Sequence, residues 1–149
     1  MVTMGQRPVF ADATNTVAAL LSTNFNPTTD VYLPPEARAA ITVSNASLAK
    51  VASQKFSTER IELLIDAPQA ALLVIAQTYF HPWHAYVDGQ RTKIWRANHA
   101  FQALEVPAGA KRVELVYEDA RFRIGGAVSA VTLLGVIGAL VRVRRKGIA

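Results

Sequence analysis

The sequence contains no cysteine, and this absence excludes two classes of structure. A disulfide framework and a cysteine-ligated metal site both need cysteine, so neither can stabilise this chain. An oxidising exterior is compatible with the absence but is not required by it. At 149 residues, of which 51% are hydrophobic, one domain with its own core is the expectation.

The first 120 residues also lack an excess of basic charge. The net charge is +5 at pH 7, but residues 121–149 hold six of the 16 basic residues and none of the 11 acids. Residues 1–120 therefore carry a net charge of −1, from ten basic and eleven acidic groups. Because proteins that bind nucleic acid present a basic face on their folded part, we expect no nucleic-acid partner.

The start of the chain lacks a secretory signal peptide. Residues 1–8 contain no basic region followed by an apolar core, and we expect them to be untethered. If the folded part lies outside the cytoplasm, an upstream segment must carry it across the membrane. The sequence therefore favours a fragment or split piece of a larger protein.

A run of eighteen uncharged residues, Ile124–Val141, lies near the C-terminus. As a helix it would be about 27 Å long, close to the hydrocarbon thickness of a bilayer. Basic residues follow it at once, as is typical of a cytoplasmic end. The pattern predicts a single transmembrane helix over 122–143 and a basic cytoplasmic tail over 144–149. The alternative is a buried C-terminal helix of a soluble protein.

The same run is rich in small residues spaced four apart, such as Gly125 with Ser129 and Gly135 with Ala139. Such pairs let helices approach closely in lipid, which favours packing against other membrane helices. Ordinary use of glycine in a membrane span is an equally good interpretation. Membrane lipid and other membrane helices are therefore the first expected partners.

The stretch Tyr79–Gly89 is the one around which the rest is organised. The apolar run Ala70–Ala76 before it predicts a strand buried on both faces. Pro82 forces a bend, because proline cannot donate to a ladder, and Trp83 follows as an anchor. A second strand then ends at Asp88-Gly89, a strong hairpin signal.

Short alternating segments surround this stretch and predict a mainly β fold. Residues 1–30 would add an N-terminal segment with a short helix capped by Asp12, whose apolar face is Ala13, Val17, Leu20 and Leu21. Residues 31–120 would form an extracytoplasmic antiparallel β-sandwich, jelly-roll-like in form. The predicted strands other than those above are 31–33, 39–43, 50–56, 60–66, 91–95, 100–106 and 112–118.

An ordered set of motifs carries a family resemblance. Tyr79–Gly89 resembles the aromatic–proline–tryptophan and valine–aspartate–glycine signature of the bacterial membrane protein YfhO family. Ala97–Ala103 resembles the asparagine-centred strand that follows it there. Similar segments of that region are Asn26–Leu33, Val106–Gly109, Val113–Tyr117 and Phe122–Gly125. One departure is the turn at His81-Pro82-Trp83, where many relatives have proline-glycine-tryptophan.

The resemblance implies a setting for the chain. Family members are large multi-span proteins that resemble GT-C glycosyltransferases, which use lipid-linked sugars. This chain would match their C-terminal extracytoplasmic domain and last helix, in the bacterial cell membrane. It implies contact with a glycan or lipid-linked sugar as a further partner.

Seven residues are candidates for glycan contact or for a structural motif. Aromatic rings could form a sugar-stacking platform, with histidine and aspartate side chains supplying hydrogen bonds. Packing in the core is the favoured alternative, because tryptophan buries a large area. Asp88 is explained most simply as a turn residue. The seven candidates are Tyr79, Trp83, His84, Tyr86, Asp88, Trp95 and His99.

The sequence offers no candidate catalytic residue. His81, His84 and His99 have no defined common face, so we expect no metal and no cofactor. The acids Glu62, Glu114 and Glu118 are expected to face outward. In GT-C enzymes the catalytic acids lie in an early external loop, which has no counterpart here.

Two functions from different classes remain. The first is an accessory extracytoplasmic domain of a multi-span, glycosyltransferase-like membrane protein of cell-envelope glycan assembly. It is non-catalytic by itself, while the parent protein transfers sugar from a lipid carrier. The alternative is a stand-alone membrane-anchored carbohydrate-binding module.

Overall fold

The computed structural model describes residues 1–146, with the side chains of 120, 121, 123 and 139–146 left out. The chain divides into two compact units, Met1–Tyr117 and a second that begins at Glu118. We call the first the β unit. Its elements are β1 Val2–Met4, β2 Arg7–Phe10, α1 Ala13–Leu20, β3 Asp30–Leu33, a 3₁₀ helix Pro35–Ala39, β4 Lys50–Phe56, β5 Arg60–Asp66, β6 Ala71–Ile75, β7 Trp83–Val87, β8 Gln90–Thr92, β9 Trp95–Ala97, β10 Phe101–Val106 and β11 Arg112–Tyr117; the second unit contains α2 Ala120–Lys146.

The strands form two larger antiparallel sheets and one small parallel pair. The five-stranded sheet has the order β4-β5-β11-β7-β8, and the four-stranded sheet has the order β1-β6-β10-β9. β2 and β3 pair in parallel. The prediction of a mainly β fold with antiparallel sheets, a short N-terminal helix and a C-terminal helix is confirmed. The jelly-roll-like form stays a prediction.

The two larger sheets face one another across a core that we call the sandwich core. β5 and β11 supply it by strict alternation, as predicted, with Ile61, Leu63 and Ile65 buried on β5 and Val113 and Leu115 buried on β11. The rest of this core comes mainly from β6, β7 and β10. Because successive strand residues point to opposite sheet faces, the alternating polar residues of β5 lie on the outer face.

A second core, which we call the outer core, covers the other face of the four-stranded sheet. It is built from Val31, Leu33, Ala37, Ile41, Val43, Leu72, Val74, Trp95, Ala97 and Ala103. β6 serves both cores, because Leu73 and Ile75 belong to the sandwich core while Leu72 and Val74 belong to the outer core. All five residues of β6 are buried, which confirms the prediction of a strand buried on both faces.

The prediction that residues 1–8 are untethered was wrong. β1 pairs with β6 in register Thr3 to Val74, and β2 pairs with β3. Gly5 turns the chain between them with φ +90°, which strains any residue with a side chain. The Gly5 amide donates to the carbonyl of Leu72 at 2.9 Å, and its own carbonyl accepts from Ser47 at 2.9 Å.

Two predicted strands were also wrong. Residues 39–43 form no strand, because the 3₁₀ helix continues to Ala39 and the Ile41 amide donates back to the Ala37 carbonyl at 3.0 Å. Ile41 and Val43 are buried nonetheless. The predicted strand 91–95 is split, because β8 lies in the five-stranded sheet and β9 in the four-stranded sheet.

The short helix α1 is present, and Asp12 caps it by accepting the amide of Asn15 at 2.8 Å. Its predicted apolar face was wrong: Thr16 is the buried residue, whereas Leu21 is 82% exposed. This placement indicates that the helix packs through its threonine side and leaves Ala13, Val17 and Leu21 exposed, while Leu20 is half-buried.

The C-terminal helix α2 runs from Ala120 to Lys146. A transmembrane helix needs about 20 predominantly apolar residues. Within the part of the chain that the structure describes, no helix is long and apolar enough to cross a membrane, so the predicted span 122–143 is not supported. The side chains of 139–143 and the predicted tail 144–149 fall largely outside the described residues. Described apolar side chains of α2, such as Ile124 and Leu134, are exposed.

Candidate functional site

The central stretch of the sequence lines a groove of about 430 Å³ at the β8 edge of the five-stranded sheet. We call it the aromatic–basic groove. It is lined by Tyr79, Phe80, His81, Trp83, His84, Ala85, Arg91, Thr92, Lys93 and Ile94. Its members come from the bend before β7, from β7 itself, and from β8 and the segment that follows.

The bend at His81-Pro82 positions the aromatic side of the groove. The Trp83 amide donates to the carbonyl of Phe80 at 3.2 Å, which closes the turn around Pro82. The Tyr79 amide donates to the carbonyl of Ala100 at 2.7 Å and ties the bend to the start of β10. The predicted bend is therefore present, and both of its ends are fixed by backbone hydrogen bonds.

The rings in the bend are divided between packing and exposure. Trp83 is 8% exposed and belongs to the sandwich core, with its ring edge-on to Tyr117 at a centroid distance of 5.4 Å. Phe80 lies nearly parallel to the same tyrosine ring, at 6.4 Å and 21°, and is 53% exposed. Trp83 thus anchors the bend, while Phe80 presents apolar surface to solvent.

The opposite side of the groove is basic. The Arg91 Nη2 atom lies 2.8 Å from His84 Nδ1. A guanidinium can only donate, so Nδ1 is the acceptor and the proton of the neutral imidazole is on Nε2. Lys93 places its Nζ atom 3.6 Å from the centroid of the Trp95 ring, a cation–π contact. Sequence reasoning did not single out Arg91 or Lys93; the hairpin register, which sets Arg91 opposite Tyr86, was the signal that could have done so.

The seven candidate residues are not brought together. Tyr79, Trp83 and His84 line the groove. Tyr86 lies on the outer face of the five-stranded sheet, and Trp95 lies in the outer core. These positions divide the predicted aromatic platform between two sheets.

The remaining two candidates, Asp88 and His99, lie in turns. Asp88 has φ 47°, and its carboxylate accepts the amides of Lys111 at 3.2 Å and Arg112 at 2.8 Å. It therefore joins its hairpin turn to the start of β11, in addition to the predicted turn role. His99 is exposed with φ 70° and lies near Arg96 at a small separate cavity.

Asn98, beside His99, has a structural role. Its φ is 45°. Its side-chain oxygen accepts the backbone amide of Tyr32 at 2.8 Å, and its backbone amide donates to the Tyr32 carbonyl at 2.9 Å. Asn98 thus acts as a hydrogen-bonding partner for β3 and holds it against the four-stranded sheet. Asparagine suits this position because it tolerates the left-handed region.

The acids of the five-stranded sheet are engaged in ion pairs. Glu62 and Glu114 face outward, as predicted, and lie near Arg60 and Arg112 on neighbouring strands. Among the residues described with side chains, no group of three or more histidine and acidic residues is placed to hold a metal ion. No pair of carboxylates lines the aromatic–basic groove.

A larger cleft of about 610 Å³ lies elsewhere, between β2 and the segment after the 3₁₀ helix. Its two arginines are engaged: Arg7 pairs with Asp30 at 2.8 Å, and Arg38 lies 4.8 Å from the centre of the Phe10 ring. Thr42, which lines the cleft, donates its backbone amide to the Glu105 carboxylate at 3.1 Å. The cleft holds none of the candidate residues, so the smaller groove is the better candidate site.

Comparison with known proteins supplies the family. The family model described as bacterial membrane protein YfhO matches residues 32–129, which is more than half of the chain. This range begins in β3, includes the whole aromatic–basic groove and ends in α2. Neither the curated proteins nor the solved structures contain a match. The chain belongs to the family of the bacterial membrane protein YfhO.

Proposed function

We propose that this chain is an accessory extracytoplasmic domain, with its membrane helix, of a multi-span glycosyltransferase-like protein of cell-envelope glycan assembly. The observation that carries the proposal is the family match, which runs without interruption from β3 through the β unit into α2. A β unit and a helix that are matched together in a membrane protein family support a folded domain attached to a membrane anchor. The β unit would then shape or cover the external face of the membrane part.

The assignment of α2 to the membrane rests on its sequence. Ile124–Val141 carries no charge and is followed by four basic residues within the next five positions. Described apolar side chains such as Val131 and Leu134 are 71% and 69% exposed, which would be costly in water and favourable in lipid. The small residues of the same run suit contact with further membrane helices.

The accessory role includes no chemistry of its own. Transfer from a lipid-linked sugar needs an acidic group beside the reacting carbon and compensation of the phosphate charge. Glu62 and Glu114 lie near arginines, Asp88 accepts backbone amides, and no acid lines the aromatic–basic groove. We therefore expect the purified chain to transfer no sugar from polyprenyl phosphates.

The topology can be tested by cysteine labelling, because the natural chain contains no cysteine. Leu48→Cys places a thiol at a side chain that is 85% exposed on the β unit, and Ala149→Cys places one at the C-terminus. In intact cells, a membrane-impermeant maleimide should label the first variant and leave the second unlabelled until the cells are permeabilised. Equal labelling of both in intact cells, or labelling of Ala149→Cys alone, would overturn the orientation.

One observation favours the alternative, a membrane-anchored carbohydrate-binding module. Phe80 lines the groove with about half its surface exposed, and its ring lies nearly parallel to that of Tyr117. Binding of cell-envelope glycan by the full chain should then be lost in Phe80→Ala. Phe56→Ala is the matched control, because Phe56 is 49% exposed on the distant edge strand β4. Equal binding by the two variants would exclude the groove as a glycan site.

A further inference from the structure

The aromatic–basic groove carries more positive charge than core packing or the binding of an uncharged glycan requires. Of the ten residues that line it, two carry a positive charge, Arg91 and Lys93, two are histidines, and none is acidic. Arg91 and Lys93 form no ion pair with any carboxylate in the part of the chain that the structure describes. The other arginines of the five-stranded sheet, Arg60 and Arg112, lie near Glu62 and Glu114. The groove therefore holds two positive charges that no described carboxylate pairs with.

The hydrogen bond between Arg91 and His84 leaves N–H donors of both side chains available to bind an anion. Arg91 uses one donor on His84 Nδ1, at 2.8 Å, and retains the others of its guanidinium fork. That contact leaves the Nε2–H of His84 as a donor. Arginine is well suited to phosphate because its fork can donate two parallel hydrogen bonds to two oxygens. Lys93 adds positive charge at the same groove, although its ammonium also contacts the Trp95 ring.

The other side of the groove supplies a different kind of contact. Phe80 is half-exposed and Tyr79 is half-buried, and both line the groove beside the basic residues. A binding site with an apolar wall and a few placed polar groups suits a ligand that has a ring and one charged substituent. A free inorganic anion would use only the basic side.

We propose that the aromatic–basic groove binds a phosphate ester carried on a sugar. Arg91 and the Nε2–H of His84 donate to the phosphate oxygens, Lys93 contributes charge, and Phe80 contacts the sugar ring. The inference rests on the alternative function proposed above, glycan binding at this groove, and narrows its ligand to phosphorylated glycans. The same phosphate chemistry occurs in lipid headgroups, so the test includes a lipid arm.

The experiment uses the full chain, labelled with ¹⁵N, in micelles of an uncharged detergent without a sugar headgroup. The chain has two tryptophans, and only Trp83 lines the groove, so its indole signal reports binding directly. The Trp95 indole, whose ring Lys93 contacts, should shift less. Titrations with glucose, inorganic phosphate and glucose 1-phosphate are compared. We expect glucose 1-phosphate to shift the Trp83 signal with an affinity at least about tenfold higher than that of glucose or phosphate.

Variants identify the residues responsible. Arg91→Gln should weaken glucose 1-phosphate binding by about tenfold or more, and Arg91→Lys should fall between it and the natural chain, because lysine keeps the charge but not the fork. Arg96→Gln and Lys111→Gln each remove one positive charge outside the groove and should leave the affinity unchanged. Thermal melting followed by far-ultraviolet circular dichroism checks that each variant remains folded. We expect the Arg91 variants to fold, because Arg91 is exposed.

The outcomes separate this inference from the broader proposal. Equal affinity for glucose and glucose 1-phosphate, or an unchanged affinity in Arg91→Gln, overturns the phosphate assignment while leaving the accessory role and its topology test untouched. In the lipid arm, micelles doped with phosphatidylglycerol should shift the Trp83 signal less than glucose 1-phosphate does. If phosphatidylglycerol binds more tightly and that binding is lost in Arg91→Gln, the groove binds phosphate, but its ligand is a lipid headgroup and the assignment to a phosphorylated sugar is overturned.

Discussion

The two cores of the β unit share the four-stranded sheet but are closed in different ways. The sandwich core is closed by a second sheet, whose five strands are joined by ladders of backbone hydrogen bonds. The outer core is closed by β3, the 3₁₀ helix and the irregular segment after it. Side chains hold these pieces in place, notably Asn98 on Tyr32 and Glu105 on Thr42. A covering held by a few side-chain bonds should open more readily than one held by a ladder.

The difference also shows why the two tryptophans should not be treated as one platform. Trp83 fills the edge of the sandwich core and Trp95 fills the outer core, on opposite sides of the four-stranded sheet. Each ring is more than nine-tenths buried. The comparison therefore predicts that replacing each tryptophan by alanine lowers hydrogen-exchange protection over a different part of the β unit.

The largest expected effect follows Trp83→Ala. Removing a buried tryptophan should lower the free energy of unfolding by about 3–5 kcal/mol, a large fraction of the stability of a typical domain. Because the ring contacts Tyr117 and belongs to the sandwich core, protection should be lost across both larger sheets. Hydrogen exchange followed amide by amide, together with circular dichroism melting, measures both effects.

Trp95→Ala is the matched test of the comparison. We expect exchange to accelerate in β2 and β3 while β5 and β11 keep their protection, because the ring supports only the outer core. Identical exchange patterns in the two variants would show that the cores unfold as one unit. A Trp83→Ala variant that melts near the natural temperature but loses glycan binding would restore the platform interpretation.

The next effect concerns Asn98, where two substitutions separate two causes. Asn98→Gly keeps a residue that accepts φ 45° but loses the acceptor for the Tyr32 amide, at a cost of about 1–2 kcal/mol. Asn98→Ala loses the acceptor and adds the strain of a left-handed residue, about 1 kcal/mol more. Chemical denaturation of both variants gives the two terms. Equal stability of the alanine and glycine variants would mean that the backbone relaxes at this turn.

The regular half of the fold could be predicted from the sequence. β4 and β5 have the predicted bounds, and β11 differs at one end. For β5 and β11 the reason is that alternation of apolar and polar residues reports a sheet with one face covered. β1 could not be predicted in this way. Its three residues carry no distinctive pattern, and their strand conformation depends on pairing with β6, some 70 positions away.

The candidate site was predictable only in part, for a related reason. The sequence identified the bend at Pro82 and the rings around it. It placed Trp95 with them, because it predicted one strand over residues 91–95. The chain instead crosses from β8 to β9 between the two sheets, and this crossing carries Trp95 into the outer core while leaving Arg91 at the groove. A change from one sheet to the other within five residues leaves no local sequence pattern from which it could be predicted.

A smaller effect is expected at Glu105, whose carboxylate accepts hydrogen bonds from Thr42 and Val43. Glu105→Gln keeps the shape and one acceptor oxygen, so the free energy of unfolding should fall by about 1 kcal/mol. Glu105→Ala removes every acceptor and should cost about twice as much. Exchange of the Thr42 and Val43 amides should rise in both variants, and unchanged exchange would show that this segment is held by burial of Ile41 and Val43 alone.

The smallest effect is expected on the outer face of the five-stranded sheet, where Glu114 lies near Arg112 and Arg60. These side chains remain partly exposed, so water and salt screen their charges, and such pairs contribute about 0–1 kcal/mol. A double-mutant cycle with Arg112→Gln and Glu114→Gln should give a coupling energy within that range, falling as sodium chloride is raised. Glu105 and Glu114 are both half-buried glutamates, one in each of the two larger sheets, so comparing them shows how much the hydrogen-bonding partner matters. A carboxylate that accepts backbone amides fixes an otherwise irregular segment, whereas one that meets an arginine on a ladder adds to strands that the backbone already holds. A coupling energy at Glu114 larger than the loss at Glu105 would contradict this, and would mean that the ladder side of the sandwich also depends on its side chains.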